Sequence, residues 1–501
     1  MMNSDDGKMN NHLQRITLIQ SLNVSKLDDT HISFIEDLIL KDLNTACIQN
    51  IYHMILPLAL SWAEYDSPVK LKLLSCKILG ESISNIDDSL VLQRHVLPIT
   101  QYLLQDTEPQ VRSSVCKQLP SLLCKVDQLS ENLLLTSLLD AAQDSSANVR
   151  CAVLDVLIES EPYIYKGYIK DLILPTLKKL VESCFLPGQD EFLLHVCKLY
   201  SRLCNTYKEY MQLEEQAWFV SQFASLCQVD NEPMTSFLCS NLVPMMLFVE
   251  SAPGLCQVLV SCVLALSTSP YVSVRQILSS TLFEIVKTCD VKSRRLLLEV
   301  LMVLLREKLE VFHSLIPHLY SLISSVLNSS DTTENYPSID EKLIASLRCC
   351  EETVSKCYKW RLHVLLMQEI QKLVNFLSAT TFMEHFQDIL FLRIKKSRPI
   401  PSRLAASKTL LVLLTKLDNE SLTSKCISRI HKDLYCSRSF YDRNLFVKIC
   451  HQTIQMLSFE EFKKYFLPSL ILLSGKYIDT RLNNKHRREG KSESRILNIL
   501  K

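Results

Sequence analysis

Asp106-Thr-Glu-Pro-Gln-Val-Arg112-Ser-Ser-Val-Cys116-Lys117-Gln-Leu119 decides the fold, because the chain writes it more than once. Forty residues earlier stands Asp66-Ser-Pro-Val-Lys-Leu-Lys72-Leu-Leu-Ser-Cys76-Lys77-Ile-Leu79. A third copy, Asp144-Ser-Ser-Ala-Asn-Val-Arg150, follows 38 residues later. Each has an aspartate, then a cation six residues on, where an apolar run with helical spacing begins. Val111, Val115, Leu119 and Leu122 share one helical face, as do Leu71, Leu74 and Ile78. A second helix carrying a Leu-Pro step accompanies the motif, at Leu56-Pro57, Leu97-Pro98 and Leu174-Pro175, and the step recurs at Leu467-Pro468. Weaker copies begin near Val274-Arg275 and Ser402-Arg403. Strand-type alternation is rare, and Asn-Gly turns are absent. A unit of two helices every 38 to 40 residues has the HEAT or armadillo period. The expected fold is all-α, a HEAT/armadillo-like α-solenoid of stacked antiparallel helix pairs.

The motif has a physical meaning. The aspartate falls in the tight turn before the second helix, where its carboxylate can cap backbone N–H groups. The cation can reach the aspartate of its own turn or of the neighbouring turn. Asp66, Lys72, Asp106, Arg112, Asp144 and Arg150 are therefore expected to form a structural ladder along the stack. Ligand binding by the same residues is the alternative. The proline removes a hydrogen bond and bends the first helix. One hairpin cannot bury its apolar face alone, so neighbours stack into a continuous core.

Composition narrows the function. The 501 residues carry 55 Lys+Arg against 54 Asp+Glu, a net charge of +1, which disfavours a nucleic-acid or acidic-membrane partner. With seven scattered glycines, no glycine-rich phosphate loop can be written. None of the 19 cysteines forms a Cys-x-x-Cys pair, and most lie in apolar runs, as expected of buried thiols in a reducing compartment. His-Glu dipeptides are absent, and no Ser/His/Asp or Cys/His constellation stands out. Neither a cofactor nor a metal nor catalysis is expected. Carboxylate pairs such as Glu351-Glu352 read as solvated helix faces. The apolar runs are about half the ~20 residues of a membrane span. Residues 1–11 lack the apolar core of a signal peptide, so a soluble protein of the cytosol or nucleus is expected.

The organisation reads as a polar N-terminal segment at 1–25, a repeat array at 26–474 with a polar insertion near 329–340, and a basic polar tail at 475–501 that makes an incomplete repeat. Lys485-His486-Arg487-Arg488 fits either a nuclear import signal or a solvated tail. Tyr358-Lys359-Trp360-Arg361 opens an apolar helix. Trp360, Arg361, Arg403 and Arg443 are candidate partner contacts, since arginine and tryptophan are enriched at binding hot spots. Packing between repeats is the alternative for all four.

Leu73-Leu74-Ser75-Cys76-Lys77-Ile78-Leu79-Gly80, Val96-Leu97-Pro98 and Gln105-Asp106 through Val111-Arg112-Ser113 together resemble the phosphatase 4 regulatory-subunit-4 family of HEAT scaffolds. Lys359-Trp360-Arg361-Leu362-His363, Arg403-Leu404-Ala405-Ala406-Ser407-Lys408-Thr409-Leu410 and Lys464-Tyr465-Phe466-Leu467-Pro468 continue the resemblance in the same order. The first group is the most specific; the others are shared with the scaffold of phosphatase 2A. The resemblance implies a non-catalytic regulatory scaffold that binds the catalytic subunit of a serine/threonine phosphatase 4 in the cytoplasm. The metal motifs of such phosphatases, Gly-Asp-x-His and Gly-Asn-His-Glu, are absent here. Two departures stand out: the N-terminus is shorter than the family's, and Gly475-Lys-Tyr-Ile-Asp-Thr-Arg481 replaces the expected Asp-x-x-x-x-Val-Arg unit. The rival readings are a HEAT-repeat adaptor of another class, such as nuclear transport, and an enzyme.

Overall fold

The computed structural model describes residues 55–64, 66–86, 88–327, 337–374, 379–397, 399–417 and 419–474, together with Ile35 and Asp37. The expected N-terminal segment, the basic tail with Lys485-His486-Arg487-Arg488, and most of the polar insertion lie outside the described residues. A helix starts at Pro337, so the last four positions of the expected insertion are helical. Among the described residues every regular element is a helix and none is a strand. The fold is a HEAT-type α-solenoid, and the chain divides into two compact units, Met1–Leu259 and Val260–Lys501.

In the first unit the second helices form one layer, and the first three of them carry the motif. Val69–Asn85 packs on Pro109–Cys116, which packs on Ala147–Ser160, then Asp190–Tyr207, then Glu232–Phe248. The partner layer includes Leu97–Leu104 against Gln128–Ala141. The second unit repeats the scheme. Val272–Thr288 packs on Leu309–Leu315; Trp360–Leu373, Ile400–Thr415 and Phe440–Ile454 follow in contact order. Val291–Leu304, Pro337–Lys356 and Ala379–Lys396 make the other layer.

Leucine, isoleucine, valine and phenylalanine fill the space between layers, and Leu134, Leu138, Val153, Leu157 and Phe219 are completely buried. The cysteines join this core. None of the 18 described cysteines is in a disulfide, and 13 of them are buried. Burial pushes the Cys116 and Cys197 thiols up to about 12, which keeps them protonated and inert. Tyr200 and Tyr207, also buried, donate to the carbonyls of Phe219 (2.7 Å) and Leu157 (2.5 Å), tying helices of different repeats together.

Two of the Leu-Pro steps share a distinctive local geometry. Leu92–Val96 and Ile169–Ile173 are π-helical turns, and each is followed at once by Leu97-Pro98 or Leu174-Pro175. A proline ring collides with the carbonyl four residues back and offers no N–H to it. Widening the preceding turn to the i→i+5 pattern relieves both problems within a continuous helix.

Candidate functional site

The ladder is built one turn at a time. Asp106 Oδ1 accepts from the Glu108 N–H at 2.9 Å, and Asp144 Oδ1 accepts from the Ser146 N–H at 2.8 Å. These are Asx turns, in which the carboxylate takes the N–H two residues ahead and sets the entry of the helix. The cation six residues on folds back over the same turn. Arg112 Nη1 donates to the carbonyls of Asp106 (2.7 Å) and Thr107 (3.0 Å), and Arg150 Nη1 to those of Asp144 (2.5 Å) and Ser145 (3.2 Å).

The outer edge of each cation then crosses to the next repeat. Lys72 Nζ donates to Asp106 Oδ2 at 2.7 Å, with both side chains nearly inaccessible. Arg112 grips Asp144 in a fork, Nε to Oδ2 at 2.6 Å and Nη2 to Oδ1 at 2.8 Å. Burial disfavours the Asp144 carboxylate, but the Arg112 fork and the Ser146 N–H outweigh it and hold its pKa below the usual range. Arg150 meets a neutral side chain instead: its Nη2 bonds to Gln189 Oε1. Asp66 stands apart from the expected ladder. It is exposed, and no ion pair to it is seen among the described residues. Pro68, two residues on, has no N–H to donate, so this copy cannot close the Asx turn.

Serine replaces aspartate in the copies that the aspartate spacing does not reveal. Ser269 Oγ accepts from the Tyr271 N–H (3.3 Å), while Arg275 Nη1 donates to the Ser269 carbonyl. Ser437 Oγ accepts from the Ser439 N–H (3.1 Å), while Arg443 Nη1 donates to the Ser437 carbonyl (2.8 Å). Arg275 lies 3.1 Å from Glu307, again one repeat on. A search for Asp or Ser with a cation six residues later finds these turns, because a hydroxyl takes the same N–H.

Two of the candidate contacts, Arg403 and Arg443, make hydrogen bonds within the array. Arg403 is 8% exposed; its Nε donates to the Ile394 carbonyl (2.6 Å) and its Nη2 to Asp442 Oδ1 (2.8 Å). Arg443 is half-buried, with Nη1 turned back to the carbonyls of its own turn. Arg403 is a ladder arginine that reaches the next repeat, whereas the bonds of Arg443 stay within its own turn. Trp360 and Arg361 differ. Arg361 is exposed, with its guanidinium carbon 4.7 Å from the centre of the half-buried Trp360 ring, and Tyr358 beside them is fully exposed.

A second polar cluster lies in the core. Glu351 is fully buried, accepting from Arg393 Nε (2.7 Å) and Nη2 (3.0 Å), with His363 Nε2 at 2.9 Å. Burial disfavours its charge, but His363 and Arg393 outweigh that and hold its pKa below the usual range. The solvated-face reading of Glu351-Glu352 is therefore wrong for Glu351. The signal was in the helical register, since Ile344, Leu347, Glu351 and Val354 fall on one face and all are completely buried. Among the described residues no group of three or more His, Cys, Asp or Glu could hold a metal ion. Nor, among them, is any helix long and apolar enough to cross a membrane.

No protein-family model matches the chain. The serine/threonine-protein phosphatase 4 regulatory subunit 4 of Mus musculus is 25% identical to it over 450 residues, and that of Homo sapiens is 25% identical over 449. Each alignment takes in 85% of this chain and 51% of the relative, so the chain spans about half the length of these curated relatives. Among solved structures, Kap121p bound to Pho4p matches at a TM-score of 0.50 and 14% identity, covering 89% of this chain and 54% of that one. Kap121p bound to RanGTP matches at 0.50 and 12% identity, covering 93% and 50%. The solved structures share the solenoid fold, and the curated relatives bear the name of the family that the sequence blocks resemble.

Proposed function

We propose that the chain is a non-catalytic regulatory scaffold that binds the catalytic subunit of a serine/threonine phosphatase of the phosphatase 4 type, in the cytoplasm. The observation that carries this reading is the alignment with phosphatase 4 regulatory subunit 4 along 85% of the chain. The ladder supports a scaffold role, since its charged side chains are engaged in joining repeats and offer no reactive constellation. Trp360 and Arg361 are the proposed partner contacts. An arginine laid against an indole is pre-organised and presents a flat, partly apolar cation, which suits a hot spot.

The test is capture. Immobilised full-length chain should retain the phosphatase 4 catalytic subunit from a purified mixture, and should hydrolyse no phosphoprotein alone. Arg361→Glu should reduce retention at least threefold without lowering the melting temperature. Absence of retention by the unaltered chain overturns the reading, and selective retention of nuclear-transport cargo would favour the adaptor of another class.

A further inference from the structure

The rung at Arg150 differs from its neighbours. Arg112 uses its Nε and Nη2 edge to grip both oxygens of Asp144. Arg150 presents the same edge toward Gln189, whose amide oxygen engages Nη2 alone. The Nε–H is buried and has no acceptor. Arg150 itself is 6% exposed, and its guanidinium carbon stands 4.9 Å from the centre of the Phe192 ring. A buried guanidinium here faces a neutral amide where Lys72, Arg112, Arg275 and Arg403 face Asp106, Asp144, Glu307 and Asp442; the nearby Asp144 charge is already forked by Arg112.

That rung also borders an open cavity of about 320 Å³, at the lower end of the ~300–1,000 Å³ of ligand cavities. Arg150, Lys179, Thr176, Ser183 and Gln189 supply its polar wall, and Leu180 and Leu186 lie in its apolar wall. Lys179 is exposed and adds a second positive charge. Asp144 also borders the cavity, but its oxygens are held by Arg112 and by the Ser146 N–H. Gln189 makes no capping bond to the helix it precedes, so its amide can swing aside without exposing a helix end.

We propose that this cavity is a docking site for an acidic side chain of a partner polypeptide. The incoming carboxylate displaces the Gln189 amide and takes the Nε and Nη2 edge of Arg150, reproducing from outside the fork that Asp144 makes with Arg112. Lys179 draws the acidic segment in, and Leu180 and Leu186 receive its methylene groups. A planar carboxylate fits because the equivalent edge one repeat away already holds one. The site goes beyond the phosphatase reading and stands whichever partner the array serves.

The test uses the full chain and a fluorescein-labelled peptide, Ala-Glu-Glu-Glu-Ala, with the all-glutamine peptide as control. The acidic peptide should bind at least tenfold more tightly than the control. Gln189→Glu should fill the rung from within, raising the melting temperature and weakening the acidic peptide at least tenfold. Lys179→Ala should weaken it about threefold with the melting temperature unchanged. Equal binding of both peptides, a lowered melting temperature in Gln189→Glu, or peptide binding untouched by that substitution would each overturn the proposal.

Discussion

Asp106 does two things with one carboxylate. Oδ1 closes its own turn through the Glu108 N–H, and Oδ2 takes the Lys72 ammonium of the preceding repeat. Loss of a cap alone costs about 0.5–2 kcal/mol. Removing one partner of a buried ion pair costs about 3–5 kcal/mol, because the charge left behind remains desolvated. Asp106→Ala is therefore expected to destabilise by roughly 3 kcal/mol or more in urea unfolding. A loss near 1 kcal/mol would assign it the capping role only. Glu351 makes the same argument through pH. Its folded-state pKa lies below its unfolded value, about 4.3, so its contribution is fully present above that pH. It is lost as pH falls through the folded pKa. Glu351→Gln should be less stable than the parent at pH 7 but should lose less further stability on acidification below about pH 4. Parallel stability curves for the two proteins would contradict the assignment. The aspartates were legible because a turn is local. Glu351 escaped because its reading rested on the neighbouring Glu352 and not on the helical register it shares with Ile344, Leu347 and Val354.

At the scale of the helix, the proline-bearing helices were recognisable from Leu-Pro, whereas the π turn that accommodates the proline was not. Its cause is the collision of the ring with a carbonyl one turn back, and the sequence shows no choice between kink, break and widened turn. Helix pairing depends on single buried polar groups as much as on leucine. Asn241 on Glu232–Phe248 accepts from the Ser201 N–H at 3.2 Å and donates to the Cys197 carbonyl at 2.9 Å. Both partners lie on Asp190–Tyr207. Asn241→Ala should cost about 1–3 kcal/mol, since it leaves the buried Ser201 hydroxyl without its Asn241 acceptor. Asn241→Asp should also destabilise, by placing a charge where the amide donates. A thermal shift series on the two variants checks this, and unchanged melting in both would show that the bonds are replaceable by water.

For the molecule as a whole, stability in a repeat array is a sum of units and nearest-neighbour interfaces. Asp144→Ala removes the fork from Arg112 and the turn bond to Ser146. Hydrogen exchange should accelerate most in Pro109–Cys116 and Ala147–Ser160 and fade in helices two repeats away. Uniform acceleration through the Met1–Leu259 unit would instead show it to unfold in one step. Sequence alone determined the helix-pair architecture, the period and the cation at the start of the motif-bearing second helices. All three follow from contacts within a few residues, where propensity and turn chemistry act. Tertiary structure decided which carboxylate each cation reaches, because that partner lies 32 to 39 residues away across an interface. It joined Arg403 to Asp442 of the next repeat and placed Glu351 in the core. It also gave Arg150 a neutral amide, since the place of Gln189 depends on the Pro187-Gly188 turn, where Gly188 adopts φ +78°. Distance along the chain, not residue type, separated what could be read from what had to be built.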